Sequence, residues 1–199
     1  MRQNHEAGRG SGFARSKYVE VLQMRIETER LVLRPWIESD LEPFTRMNGD
    51  SEVMRFFPNT LEPAQTEQLY NSIVQEFSEY GYGLYATEEK DSGSFIGFIG
   101  FHWARFEVDF CPCIEIGWRL DKKYWGRGYA TEGAKACLAH GFSNLKLDNI
   151  YSFTSILNQP SQRVMQKIGM QMERFFDHPR VPKGNPLRLH ICYRIKNGK

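Results

Sequence analysis

The sequence predicts an α/β (α+β) domain in which helices pack on a mixed sheet of about seven strands. Segments with strand-like and helix-like apolar periodicity follow one another in the order β-α-α-β-β-β-α-β-α-β-β. No internal repeat and no interior linker interrupts that order. The length of 199 residues fits one domain.

Composition narrows the possible classes of protein. The chain is 25% charged and 41% hydrophobic with a net charge of +2, so it is too apolar for disorder and too balanced for a dedicated nucleic-acid binder. The longest apolar stretch, residues 95–104, contains two glycines and a histidine and is about half the length of a membrane span. We therefore expect neither nucleic acid nor membrane as a partner.

The four cysteines do not form a recognisable disulfide or metal framework. They stand at 111, 113, 137 and 192 without a Cys-x-x-Cys pair. Cys137 and Cys192 fall on predicted core positions. Cys111 and Cys113 could bind a metal together with His102 or His140, but these residues lack the spacing that is usual for metal ligands. We expect no metal, reduced thiols and a cytoplasmic location.

The N-terminal segment differs from the rest of the chain. Residues 1–24 carry several arginines and glycines and almost no apolar run, so they do not form a secretory signal. A transit peptide remains an alternative to a flexible N-terminal extension. The prediction is an extension over 1–24 and a single domain over 25–199.

The first half of the domain contains a strand, two helices and a hairpin. A strand is expected over 26–34, and the Ser39-x-x-Glu42 spacing of a capping box predicts a short helix with Leu41 and Phe44 inward. The next helix begins near Pro63 and ends at Gly81. Its predicted inward residues are Leu69, Ile73, Val74, Phe77 and Tyr80. Strands near 82–88 and 94–104 are joined by the turn residues 91–93.

The second half carries the segments on which function depends. A strand over Cys113–Leu120 leads through a glycine-containing loop into a helix. That helix has the inward stripe Ala130, Ala134, Cys137, Leu138 and Phe142. A strand over 150–158, a helix over 160–168 ended by Gly169, and strands near 171–176 and 188–195 complete the predicted sheet.

The loop Gly126-Arg127-Gly128 connects a strand to a helix start. Glycines let a backbone approach a ligand closely, and the amides of the first helical turn attract a phosphate or diphosphate. A nucleotide-hydrolysing loop is absent, and Thr131 stands where a dinucleotide fingerprint needs its third glycine. By itself the loop fits an ordinary tight turn equally well.

Four motifs resemble a known family. The run Leu120-Asp-Lys-Lys-Tyr-Trp-Gly-Arg-Gly-Tyr-Ala-Thr-Glu132 resembles the acyl-coenzyme A pyrophosphate loop of GNAT-superfamily N-acetyltransferases. Three further segments resemble the RimJ/RimL-like branch, which includes ribosomal-protein-alanine N-acetyltransferases: 28–34, 114–118, and Asn158-x-x-Ser161 with 167–169. The resemblance covers about residues 26–195 in the expected order.

The resemblance implies a GNAT-like fold with a mixed central sheet and helices on both faces. It implies direct transfer of an acetyl group from acetyl-CoA to a primary amine, in a ternary complex and without a metal. The amine would belong to a small molecule or a protein N-terminus, and the protein would be a monomer or homodimer. The residues implied to bind coenzyme A are Trp118, Leu120, Trp125, Gly126, Arg127, Gly128, Tyr129, Ala130, Thr131 and Asn158.

Glu115 is the candidate catalytic base. Along its strand Cys113, Glu115, Gly117 and Arg119 face away from the apolar set Ile114, Ile116, Trp118 and Leu120. Alternation alone also allows a solvent-facing glutamate or a partner of Arg119. The resemblance assigns a functional glutamate to this place, which would act directly, through water, or by binding the ammonium.

Ser161 is the candidate acid for the leaving thiolate. Many relatives have a tyrosine where this chain has Met165, which cannot donate a proton. The RimJ/RimL-like branch is thought to use the serine, although a first-turn serine is also a common structural choice. Asn158 has an equally open alternative as a helix cap. The missing tyrosine leaves a non-catalytic acyl-CoA-binding or sensing module as the alternative function.

The acceptor pocket has two candidate walls. Phe56-Phe57-Pro58 lies between the first two predicted helices, and the proline-rich connection 178–186 is long enough to cover an opening. No histidine is assigned to catalysis.

Overall fold

The computed structural model of this chain describes residues 24–198. The predicted extension over 1–24 lies outside the described residues except for Met24, which packs against the hydrophobic core. Within the described residues, four α-helices accompany one eight-stranded sheet, so the predicted mixed α/β architecture is confirmed.

The elements follow the predicted order, with one additional strand. The strands are β1 (Ile26–Glu27), β2 (Leu31–Arg34), β3 (Leu84–Glu89), β4 (Ser94–Ala104), β5 (Cys113–Leu120), β6 (Asn149–Ser155), β7 (Gln171–Asp177) and β8 (Leu189–Lys196). The helices are α1 (Leu41–Gly49), α2 (Pro63–Tyr80), α3 (Tyr129–Ser143) and α4 (Gln159–Lys167). Short 3₁₀ turns precede α1 at Glu38–Asp40 and α3 at Lys122–Tyr124.

The strand predicted over 26–34 is a tight antiparallel hairpin, β1–β2. The chain reverses because Thr28 N donates to Leu31 O at 3.0 Å. Glu132 of α3 holds this turn by accepting hydrogen bonds from the Thr28 hydroxyl at 2.6 Å and from Arg30 N at 2.9 Å. A distant carboxylate therefore stabilises a reversal that local alternation does not indicate.

The predicted capping box at Ser39 and Glu42 is wrong. The acceptor at the start of this helical segment is Asp40, whose Oδ2 takes the Ile37 N–H at 2.9 Å. Asp40 is buried and bonded to the guanidinium of Arg34, whereas Glu42 is exposed and pairs with Arg46. The ion pair with β2 decides which acidic side chain turns inward.

Helix α2 begins at Pro63 and is ended by Gly81 in the left-handed conformation, both as predicted. Ile73 and Phe77 are buried against the sheet, but Val74 is 39% exposed. Val74 follows Ile73 directly, so a helical turn of 100° per residue carries it off the buried stripe.

The sheet order is β1-β2-β3-β4-β5-β6-β8-β7. Every neighbouring pair is antiparallel except β5 and β6, which are parallel and joined at one register pair, Glu115 with Tyr151. The two strands are therefore split along most of their length, and the facing edge of β5 retains backbone groups without a strand partner.

Helices cover both faces of the sheet. On one face the ring of Phe44 in α1 lies 6.0 Å from that of Phe98 in β4. On the other face α3 lies so close that a Cβ on Gly141 would stand 2.8 Å from the Phe101 ring. The predicted inward residues Ala134, Cys137 and Leu138 of α3 are buried, while Ala130 and Phe142 are only partly so.

Candidate active site

The split between β5 and β6 opens into a cavity of about 800 Å³. Residues from both strands, the first turns of α3 and α4, the α1–α2 connection and the β7–β8 connection line it. All predicted site residues except Arg127 belong to this lining: Glu115, Trp118, Leu120, Trp125, Gly126, Gly128, Tyr129, Ala130, Thr131, Asn158 and Ser161.

Two residues of the glycine loop have positive φ, a conformation that residues with a side chain rarely adopt. Gly126 and Gly128 have φ of +75° and +84°. Gly128 is the N-cap of α3, and the first backbone bond of the helix runs from Glu132 N to Gly128 O at 3.0 Å. The amides of residues 129–131 therefore have no partner within the helix and point towards the cavity end of α3, where an anion is favoured.

The loop is fixed from outside by Arg30. Its guanidinium donates to Arg127 O at 3.0 Å and pairs with Glu132. The Arg127 side chain lies 3.6 Å from Glu89 Oε1. Arg127 therefore supports the loop with its backbone, while its side chain is directed to β3 and not into the cavity lining.

The side chain of Trp125 in the glycine loop binds the backbone at the end of β5. Trp125 Nε1 donates to Leu120 O at 2.8 Å. Further along the strand, a Cβ on Gly117 would meet nothing within 4 Å. The β5 surface between Glu115 and Arg119 is therefore open to the cavity.

Asn158 is a helix cap. Its Oδ1 accepts from Ser161 N at 3.2 Å, and its Nδ2 donates to Thr154 Oγ1 at 3.0 Å. Asn158 therefore has the helix-cap role that the sequence allows, and it also lines the cavity.

Ser161 lies in the first turn of α4 and lines the cavity. Among residues 24–198 its hydroxyl has no hydrogen-bond partner, whereas its backbone N–H donates to Asn158, so the hydroxyl is available to a ligand. Met165, one turn later, is 1% exposed and packs in the core, so it does not face the cavity.

Glu115 belongs to a short array of ionisable groups. It stands opposite His102 in the β4–β5 register, and both line the cavity. Burial raises the pKa of Glu115 to about 7, against the lowering effect of His102 and Arg180. A carboxyl group with this pKa exchanges a proton readily near neutral pH.

His102 is held from behind by Glu76 of α2. The Glu76 Oε2 lies 2.8 Å from His102 Nδ1, and Oε1 accepts from Trp103 N at 2.7 Å. Burial disfavours the charged imidazole, but the hydrogen bond with Glu76 and the charges of Glu76 and Glu115 outweigh it and raise the pKa of His102. The sequence did not single out this pair for catalysis.

Arg119 does not pair with Glu115, so that alternative is wrong. Its Nη1 donates to Asn48 Oδ1 at 2.7 Å, and its guanidinium lies 4.2 Å from the Phe57 ring centroid. Burial lowers the pKa of Arg119 to about 10. Alternation placed Glu115 and Arg119 on one face, but only the packing of α1 shows which neighbour each side chain meets.

The two predicted walls of the acceptor pocket are present in the lining. Phe56, Phe57 and Pro58 contribute from the α1–α2 connection, and His178 and Arg180 from the β7–β8 connection. Arg180 Nη2 donates to Arg105 O at 3.1 Å, which ties that connection to the end of β4.

Residues 24–198 contain neither a metal-ligand cluster nor a membrane-spanning helix. In that part of the chain no cluster of three His, Cys, Asp or Glu residues is arranged to hold a metal ion. No helix in the same range is long and apolar enough to cross a membrane. The four cysteines are free thiols, with Cys111 and Cys113 sulfurs 3.7 Å apart.

Comparison with known proteins agrees with this geometry. An acetyltransferase (GNAT) domain model matches residues 30–171. The uncharacterized N-acetyltransferase YnaD of Bacillus subtilis is 34% identical over 172 residues, covering 86% of this chain and 96% of that protein. The FsC-acetyl coenzyme A-N(2)-transacetylase of Aspergillus fumigatus is 36% identical over 185 residues, covering 87% and 76% respectively.

A solved structure is also similar throughout. The acetyltransferase (GNAT family) from Bacillus anthracis superposes with a TM-score of 0.74 at 32% identity, covering 88% of this chain and all of that one. The fold, the split sheet and the matched sequence define an acyl-CoA-dependent acetyltransferase. The chain belongs to the GNAT acetyltransferase family and is an N-acetyltransferase that uses acetyl-CoA and an amine.

Proposed function

We propose that this protein transfers the acetyl group of acetyl-CoA directly to a primary amine in a ternary complex, with Glu115 as the base. The observation that carries the proposal is the Glu115 carboxyl group, which lines the same cavity as the glycine loop and has a pKa of about 7. Relatives at 34% and 36% identity whose names specify N-acetyltransfer support the reaction class.

The cavity fits acetyl-CoA in two ways. The free amides of residues 129–131 at the start of α3 suit its diphosphate, and Gly126 and Gly128 allow the approach. The split edge of β5, where Trp118 and Leu120 lie, suits the amide-containing pantetheine arm as an added strand. Asn158 is proposed to contact that arm in addition to capping α4.

The chemistry then requires the nitrogen to lose two protons and the sulfur to gain one. The acceptor ammonium loses a proton to Glu115, directly or through one water, and its nitrogen forms a bond to the thioester carbon. As the carbon–sulfur bond breaks, the thiolate takes a proton from the Ser161 hydroxyl, and the serine recovers a proton from the nitrogen, which loses its second proton as the amide forms. The products are the N-acetylated amine and coenzyme A.

We also propose the branch, the domain bounds, the assembly and the location of this protein. We place the protein in the RimJ/RimL-like branch on the motifs at 114–118 and 158–161. Residues 25–199 are proposed to form one acetyltransferase domain, working as a monomer or homodimer. The four free thiols support a reducing cytoplasm as its location.

The test follows release of free thiol from acetyl-CoA while small amines and N-terminal peptides are offered. Turnover with at least one primary amine is expected, and Ser161→Ala should lower kcat with little change in the KM for acetyl-CoA. Ser72→Ala, an exposed serine on α2, is the matched control. Thermal stabilisation by coenzyme A without turnover of any amine would instead support the sensing module.

A further inference from the structure

Arg119 is a half-buried cation whose guanidinium has few hydrogen-bond acceptors near it. Among residues 24–198 no carboxylate lies within 4.0 Å of it, and its one hydrogen bond is to the amide of Asn48. Its Nε is buried and unbonded. Since a guanidinium carries five N–H donors, most of its hydrogen-bonding capacity remains for a ligand.

The surroundings of Arg119 hold it in place without neutralising it. The guanidinium lies 4.2 Å from the Phe57 ring centroid and 5.3 Å from that of Phe98. Aromatic faces orient an arginine and tolerate its charge, but they supply no hydrogen-bond acceptor. A planar guanidinium held in this way is suited to bind a carboxylate through two parallel hydrogen bonds.

The charge of the cavity agrees with an anionic guest. Besides Arg119, its lining contains the cations Arg55, Arg163, Lys167 and Arg180, whereas its one acidic residue is Glu115. A cavity for polyamines would need several carboxylates to balance the second and third ammonium groups. Part of this positive charge suits the diphosphate of acetyl-CoA, and the absence of a second carboxylate from the described lining disfavours an acceptor with several ammonium groups.

Arg119 and Glu115 share one open surface. They lie on the same face of β5, separated by Gly117, and the residue opposite Gly117 in β4 is Gly100. Gly117 lines the cavity, and a Cβ on it would meet nothing within 4 Å, which leaves a trough between the two charged side chains. Four residues of extended strand place their Cα atoms roughly 13 Å apart.

The trough and the body of α3 lie on opposite faces of the sheet. The walls of the trough come from Phe57 and Phe98, on the face covered by α1 and α2, whereas the amides suited to the diphosphate begin α3 on the opposite face. A ligand at Arg119 can therefore be the acceptor while acetyl-CoA occupies the glycine loop.

We propose that the acceptor is a small amine carrying a carboxylate, which Arg119 binds while Glu115 receives the proton from the amine. The span between the two side chains favours a compound in which several atoms separate amine and carboxylate over an α-amino acid. This inference rests on the proposed function and adds the chemical class of the substrate.

The test compares three amines with a chain of five carbons: the amino acid 5-aminopentanoate, the monoamine pentylamine and the diamine cadaverine. The same comparison is made for chains of three to seven carbons. Wild-type kcat/KM is expected to decrease from the amino acid to the neutral amine to the diamine. Arg119→Gln should lower kcat/KM for the amino acids by about 10- to 100-fold, mainly through KM, and leave the neutral amines nearly unchanged. Arg119→Lys should restore part of the loss.

Arg46→Gln is the matched control, since it removes the same charge from an exposed position on α1 and should leave the preference intact. Stabilisation by coenzyme A on heating shows that each variant is folded, and the wild-type order of the amines tests the proposal without any variant. Preference for the neutral amine, the diamine or C-terminally amidated peptides would overturn the carboxylate assignment while leaving acetyl transfer intact. Absence of turnover with every amine would overturn the proposed function itself.

Discussion

His102 and Glu115 stand directly opposite each other on β4 and β5, and both side chains line the cavity. Directly opposed Cβ atoms on antiparallel strands are about 5 Å apart, close enough for the charge of one group to change the protonation of the other. Glu76 keeps the imidazole in place at 2.8 Å. The pKa of the proposed base is therefore influenced by a group that lies 13 positions away in the chain.

The pH dependence of the reaction should report the ionisation of Glu115. Its pKa is raised to about 7, and only the deprotonated form accepts a proton, so kcat/KM should increase as the pH rises through about 7. Rates measured from pH 5 to 9 with a fixed amine test this. A profile that is flat between pH 6 and 8 would contradict the assignment.

Glu115→Gln should lower kcat/KM by about 10²-fold or more, because the amide cannot accept the proton. It should also abolish the inflection near pH 7. Glu107→Gln, an exposed glutamate in the β4–β5 connection, is the matched control and should behave as wild type. Equal rates for the Glu115 variant and this control would remove the base role from Glu115.

His102→Gln should move the inflection to higher pH. Burial raises the pKa of Glu115, and the charged imidazole of His102 lowers it. Because the variant removes only the lowering effect, the pKa of Glu115 should increase further. The measurement is the midpoint of the kcat/KM profile in variant and wild type. A midpoint that stays in place or decreases would show that His102 does not tune the base.

Gly128→Ala should weaken acetyl-CoA binding as well as stability. A side chain at a φ of +84° costs roughly 1–2 kcal/mol of unfolding free energy, and relaxation of that strain would turn the amides of residues 129–131 away. Gly81→Ala is the control because its φ is +72° at the end of α2, outside the cavity lining. Denaturant unfolding should show a similar loss in both, and the KM for acetyl-CoA should increase only in the Gly128 variant.

Much of the local structure could be predicted from the sequence. Alternation of apolar and polar residues predicts the bounds of β5. The fixed φ of proline predicts the start of α2 at Pro63, and the positive φ that glycine allows predicts its end at Gly81. All three are local properties of the chain. The tight loop at Gly126 and Gly128 follows from the sequence in the same way, because glycine permits positive φ. Its role in binding coenzyme A, like that of Ser161 in proton donation, stays a prediction.

The features that the sequence did not predict all depend on contacts between residues far apart in the chain. The β1–β2 hairpin depends on Glu132, and the cap before α1 depends on the pairing of Asp40 with Arg34. The environment of Arg119 depends on Asn48 and Phe57, which come from α1 and the segment after it. Short-range periodicity contains no information about these partners.

The sequence by itself determined the family motifs, the order of elements and the face of β5 on which Glu115 and Arg119 lie. Only the tertiary structure decided what those two side chains meet: Glu115 faces His102 across a strand register, and Arg119 lies against aromatic rings without a carboxylate among the described residues. Alternation specifies a direction from the backbone, whereas the pKa and the unsatisfied donors of a group depend on what packing brings to that side.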